Sequence, residues 1–114
     1  MTERTIFRMH DVVDAISQID LLLKDTGLDD LLADRVRRAA YERFLEILSE
    51  ASRHIPDVMK AEEPGIPWAR IAGIGNHLRH AYHRVDAEIL WRVWADGDLA
   101  SLHEATVRMI GKLK

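Results

Sequence analysis

The sequence predicts an all-α protein, an antiparallel up-and-down bundle of four to five helices. Three observations carry that prediction. Apolar residues recur at three- and four-residue steps along each long segment, the period of an amphipathic helix. No segment shows the apolar–polar alternation of a strand. Breaks fall at Gly27, at the prolines between Ile55 and Pro67, and at Asp96-Gly97-Asp98. The 114 residues suit one domain, 1–114, with a single core.

The first helix carries Met9, Val12, Val13, Ile16, Ile19 and Leu23 on one stripe and stops at Gly27. A short turn, Leu28 to Ala33, follows. Asp34 is a candidate N-cap for a long second helix, with Val36, Ala40, Phe44, Ile47 and Ala51 as its buried stripe. Pro56 ends that helix. Ile55 to Pro67 holds all three prolines and Gly65 and reads as a loop. Pro67 suits the first turn of a third helix, running from Trp68 to about Val85. Asp86 is the candidate cap of a fourth helix containing Ile89, Leu90, Val93 and Trp94. The fifth runs from Leu99 to about Leu113, with Leu102, Ala105 and Met109 inward. The first two long helices are expected to pair.

The formal charge of −3 excludes a generally basic nucleic-acid binder but leaves room for a local basic patch. The acids are unevenly spread. Pro64 to Val85 contains no Asp or Glu, yet holds Arg70, Arg79, Arg84, His77, His80 and His83. With no cysteine, disulfides, thiolate metal sites and thiol nucleophiles are excluded. The N-terminus lacks the apolar run of a signal peptide, and no stretch suits a membrane span. A soluble cytoplasmic protein with no membrane partner is expected.

Gly75 to Asp86 is the candidate site. On a continuous helix, Ile71, Ile74, Leu78, Ala81 and Val85 fall within an arc of roughly 80° and form a core stripe. Asn76, Arg79, His80, Tyr82 and His83 fall outside it, Gly75 among them, and make up a polar face without acid, lysine or glutamine. His77 and Arg84 lie between. Histidine exchanges protons near neutral pH. Arginine holds a phosphate through two parallel hydrogen bonds. His80 beside Arg79 therefore offers a proton carrier and an anion clamp, the needs of metal-independent RNA cleavage. Gly75 costs helix stability, which makes sense if a backbone, partner helix or ligand approaches closely. Zinc on His77, His80 and His83 is the rival chemistry. Successive members rotate by about 60°, so the three do not converge on one ion; no metal and no cofactor is expected.

These residues also resemble a known family. Pro67-Trp68, Ile71-Ala-Gly-Ile-Gly-Asn76, Leu78-Arg-His80, Tyr82 and Val85-Asp86 look like the HepT-like toxins of the HEPN superfamily. Arg43 to Ala51 resembles the family's second-helix signature, and Ile89 to Trp94 with Asp98-Leu99 extends the likeness, from about Val12 to Leu102. The resemblance implies a HEPN-like fold, a homodimer whose motif helices face one cleft, an RNA substrate and ribonuclease activity. It implies a toxin–antitoxin pair in which a minimal nucleotidyltransferase antitoxin transfers AMP to the tyrosine two residues past the motif histidine. Here those residues are His80 and Tyr82, and Asn76 matches the family's polar position. The family's Arg-x4-His motif has Gly75 at its arginine position, which leaves three outcomes open: the site binds without cutting, the chain belongs to a variant branch with altered catalysis, or Arg79 replaces the missing guanidinium. Catalysis then rests on Arg79, His80 and Asn76, with His77, His83 and Arg84 holding RNA phosphates. Glu50 matches an acidic position and either orients Arg79 or His80 or simply pairs with Arg53. The alternative function is a non-catalytic substrate-binding subunit of a two-component nucleotidyltransferase. Trp68, Trp91 and Trp94 suit core or dimer contacts, His54 a helix end, and His10 and His103 the surface.

Overall fold

The computed structural model describes residues 2–113, in an elongated body of 42 × 24 × 22 Å. Among them are eight helices and no strand: α1 (Thr2–Leu23), α2 (Leu28–Ala33), α3 (Arg35–Arg53), α4 (Asp57–Lys60), α5 (Trp68–Ala72), α6 (Ile74–Leu78), α7 (Arg84–Ala95) and α8 (Asp98–Leu113). The all-α expectation holds. α1 packs along α3 and α8, α3 carries α5 and α6, and α7 bridges α6 and α8. The expected pairing of the two long helices is the α1–α3 seam.

Burial explains these contacts. Val12, Ile16, Ile19 and Leu23 of α1 meet Leu45 and Leu48 of α3 and Leu99 and Leu102 of α8 in one cluster of buried residues. The caps act as the sequence predicts at α3, where the Asp34 carboxylate accepts the Arg37 amide at 3.0 Å. Gly97 takes φ +89° between α7 and α8, a conformation that glycine reaches without steric cost. Tyr41, buried on α3, donates its hydroxyl to the Leu90 carbonyl at 2.5 Å and so ties α3 to α7. Burial pushes that hydroxyl's pKa well above the ordinary tyrosine value.

Two expected stripes need correction. On α3 the buried residues are Tyr41, Leu45, Leu48, Ser49, Ala51 and Ser52, whereas Val36 is 81% exposed. Ala51 is buried and Phe44 and Ile47 pack against the core as expected, but the centre of the face lies one residue further on, along Tyr41, Leu45 and Leu48, and two serines on it disguise it as polar. Both are satisfied: Ser49 donates to the Ile71 carbonyl at 2.8 Å and Ser52 to the Ser49 carbonyl at 2.7 Å. The second correction concerns the third helix. It does not run unbroken to Val85, which is 67% exposed. α5 ends at Ala72, α6 ends at Leu78, and residues 79–83 form a turn. Asp86 caps nothing; α7 begins at Arg84 with His83 in the cap position.

Side chains from outside the segment break it. Ser49 takes the carbonyls of Ile71 and Ala72, at 2.8 and 3.3 Å. Arg38 donates to the carbonyl of Ala81, which a continuing helix would give to Val85. Backbone bonds after Leu78 shorten to three-residue steps, His80 to His77 at 3.1 Å and His83 to His80 at 2.9 Å.

Candidate active site

The unwound segment places the sequence-predicted residues unequally. Asn76 and Arg79 stay together, the Arg79 guanidinium donating to the Asn76 side-chain oxygen. His80 is exposed on the turn that follows, with its ring 6.2 Å from that of His83. His83 packs its ring 4.3 Å from Tyr82, which is 76% exposed. The turn therefore presents an arginine, two imidazoles and a phenol to solvent.

Three predicted residues lie elsewhere. His77 turns toward α7, where its Nδ1 is 2.8 Å from the Asp86 carboxylate. Arg84 pairs with Glu88 at 2.8 Å and with Asp29 at 3.6 Å. Glu88's hydrogen bond, more than any other influence, raises the Arg84 pKa above the ordinary value. Glu50 does not reach across the bundle; its carboxylate is 3.0 Å from His54 Nε2 and 3.9 Å from Arg53, both within α3. The hydrogen bond from His54 holds the Glu50 carboxyl below the usual range, with Arg53 adding to the effect. Glu50 therefore pairs within its own helix and does not orient Arg79 or His80.

Two clefts flank α6. The larger, about 590 Å³, lies between α1, α3 and α6, with Arg8, Arg43, Glu50, Arg53, Gly75 and Arg79 in its lining. The second, about 490 Å³, has a floor of small residues (Ala69, Ala72, Gly73 and Gly75) edged by Arg53, Asn76 and Arg79. Gly75 belongs to both. A Cβ at Gly75 would meet no atom within 4 Å. The close approach expected at this glycine is thus not made by the described residues of this chain. A third cleft of about 400 Å³ lies beside Tyr82, with Arg35, Arg38 and Glu42 of α3 around it.

Reading the motif stretch alone misses the α3 arginines. Arg43, Glu46, Glu50 and Arg53 recur at three- and four-residue steps, a charged stripe that could have been seen in the sequence. Arg38 is marked in the sequence only by Glu42 four residues on, with which it pairs at 3.0 Å; the carbonyl it holds on the turn is 43 residues away. Among the described residues no three His, Asp or Glu side chains gather as a metal-ligand set. Trp68 donates its indole N–H to the Lys60 and Glu63 carbonyls, and Trp94 to Asp20; all three tryptophans pack against the core.

Fold and site together define a helical-bundle domain with arginine-lined clefts beside an exposed histidine. The family model described as ribonuclease HepT-like matches residues 12–109. The chain belongs to the ribonuclease HepT-like family. It is 36% identical over 94 residues to a Thermococcus cleftensis protein named "Probable ribonuclease HepT", spanning 82% of this chain and 84% of that one. A Methanocaldococcus jannaschii protein, named provisionally as an RNase, is 29% identical over 85 residues, 75% of this chain and 78% of the relative. No solved structure matches the chain. No helix among the described residues is long and apolar enough to cross a membrane.

Proposed function

We propose that the chain is a metal-independent RNA endonuclease, the toxin of a toxin–antitoxin pair. The observation that carries this reading is the coupling of Asn76 to Arg79 immediately before the exposed His80. Asn76 fixes the guanidinium, so a cation stands ready for the charge that develops on phosphorus. His80 accepts the proton of the ribose 2′-hydroxyl as that oxygen attacks the adjacent phosphorus. The bond to the 5′ oxygen breaks, and that oxygen takes a proton as it leaves. The products are a 2′,3′-cyclic phosphate and a 5′-hydroxyl. A homodimer supplies a second His80, so one imidazole serves as base and the other as acid.

Tyr82 is the proposed control point. Its phenol stands in solvent, where a nucleotidyltransferase antitoxin can reach it. Transfer of AMP forms a phosphodiester on the phenolic oxygen, with pyrophosphate leaving from ATP and the phenolic proton going to the transferase or water. The new anion lies two residues from His80 and competes for the same arginines.

The test is incubation of purified protein with RNA in chelator. Wild type yields cyclic-phosphate ends, and His80→Ala lowers the rate by at least about 100-fold. Equal rates for the two proteins would end the nuclease reading. One observation favours a second reading, a substrate-binding subunit of a two-component nucleotidyltransferase: position 75 carries no side chain where the family motif has arginine. In that case RNA stays intact while co-expressed transferase still adds the mass of AMP, an addition lost in Tyr82→Phe.

A further inference from the structure

The gap at Gly75 raises the question of which group holds the phosphate in place of the motif arginine. Arg79 alone leaves the site with one guanidinium. Arg53, at the end of α3, lines both clefts that Gly75 lines, and so does Arg79. Those three are the residues common to the two clefts. Arg53 is loosely held: its guanidinium is 3.9 Å from Glu50, whose carboxylate is 3.0 Å from His54. Its side chain is 60% exposed and able to swing toward an anion. The acids Asp11, Glu46 and Glu50 line only the larger cleft. None of the described residues around the second is acidic. The floor there is glycine and alanine, which leaves room for a backbone phosphate to come close.

We propose that Arg53 and Arg79, with Gly75 as floor, form the seat for one backbone phosphate of single-stranded RNA. Arg53 supplies from α3 the guanidinium that the motif segment lacks. Two guanidiniums of different elements grip a phosphate from two directions, which fixes the strand as well as neutralising it. The identity of the ligand as RNA rests on the ribonuclease reading above. The seat itself assigns Arg53 a positioning role that the motif does not reveal.

The test uses a labelled 2′-O-methyl oligouridylate, which binds but cannot be cut because it has no free 2′-hydroxyl. Anisotropy gives its Kd between 50 and 200 mM salt for wild type, Arg53→Gln, Arg79→Gln and, as control, Arg108→Gln. Arg108 sits on α8 and is bonded to Glu63. Arg53→Gln and Arg79→Gln each weaken binding about tenfold and flatten the salt slope by about 0.7, the value for one phosphate contact on a single strand. Arg108→Gln changes neither. Gly75→Arg in the Arg53→Gln background returns most of the lost affinity, because a Cβ at 75 meets nothing within 4 Å and the position lines the same two clefts. The seat is overturned if Arg53→Gln binds with wild-type Kd and slope, if Arg108→Gln loses as much, or if wild type binds no oligonucleotide. Cleavage of ordinary RNA, assayed in parallel, separates the two claims. Binding that depends on Arg53 without cleavage retains the seat and ends the nuclease reading. Cleavage at the wild-type rate and KM by Arg53→Gln does the reverse.

Discussion

Leu45, Leu48, Ile16 and Leu102 lie fully buried on three long helices, whereas Asn76, Arg79, His80 and Tyr82 stand exposed on a five-residue helix and the turn after it. The first group is held by its own hydrophobic surface, along helices of 16 to 22 residues. Helices as short as the second group's have no independent stability in water. That segment keeps its shape through borrowed contacts: Ser49 on the end of α5, Arg38 on the turn, and Asp86 on His77. The lesson is a division of work. A close-packed frame supplies the free energy, and a few polar bonds spend little of it to hold the chemistry in water.

The largest way to break this comparison is at the α1–α3 seam. Leu45→Ala removes a fully buried side chain, and the loss should be about 3 kcal/mol, read as a lower urea midpoint. A loss below about 1 kcal/mol would show that the seam is not the frame. Ser49→Ala comes next. It leaves the Ile71 and Ala72 carbonyls without their hydroxyl, at a cost of about 1–2 kcal/mol. Its signature is local: amides of 73–78 exchange faster with solvent while those of α1 keep their protection. Uniform loss of protection would merge the two regions into one cooperative unit.

Gly75→Ala sharpens the contrast by moving in the other direction. The site has helical backbone and open space at the Cβ position, so stability should rise by about 0.5–1 kcal/mol. A melt that falls instead would mean that a neighbour outside this chain, such as a second copy of it, fills that space. The smallest effect lies between the regions, at Glu63 in the loop before α5. The hydrogen bond from Arg108 holds its carboxyl below the usual range. A lowered folded-state value stabilises the fold above the ordinary carboxylate range and ceases to do so as pH falls through the lowered value. Glu63→Gln should therefore flatten the acid limb of the stability–pH curve and leave its alkaline side unchanged.

Much of this frame can be read in one dimension. The α1 stripe from Met9 to Leu23, the Asp34 cap and the Gly97 break follow from local periodicity and local sterics, and each stands where expected. The centre of the α3 face lies one residue beyond the expected stripe, and Ser49 and Ser52 hide it because they are buried through bonds to carbonyls. Their inward placement cannot be inferred from polarity. The candidate site was legible as a list and not as a shape. Asn76, Arg79 and His80 are found by their chemistry, but periodicity alone extends one unbroken helix through them and carries no trace of Ser49 and Arg38. Those residues compete for backbone carbonyls from 22 and 43 positions away, and no window along the chain contains both partners.

The Arg38 bond to the Ala81 carbonyl bears on how such a domain can be inherited or transplanted. Ala81 stands between His80 and Tyr82, so one guanidinium sets the height of both above the bundle. The turn and its tether are encoded far apart and can drift separately. A graft of residues 75–86 into another helical bundle would carry the histidine and the tyrosine but leave their anchor behind. A working transplant needs an arginine at the position that matches residue 38, and a lineage that loses that arginine has to rebuild the turn by some other means.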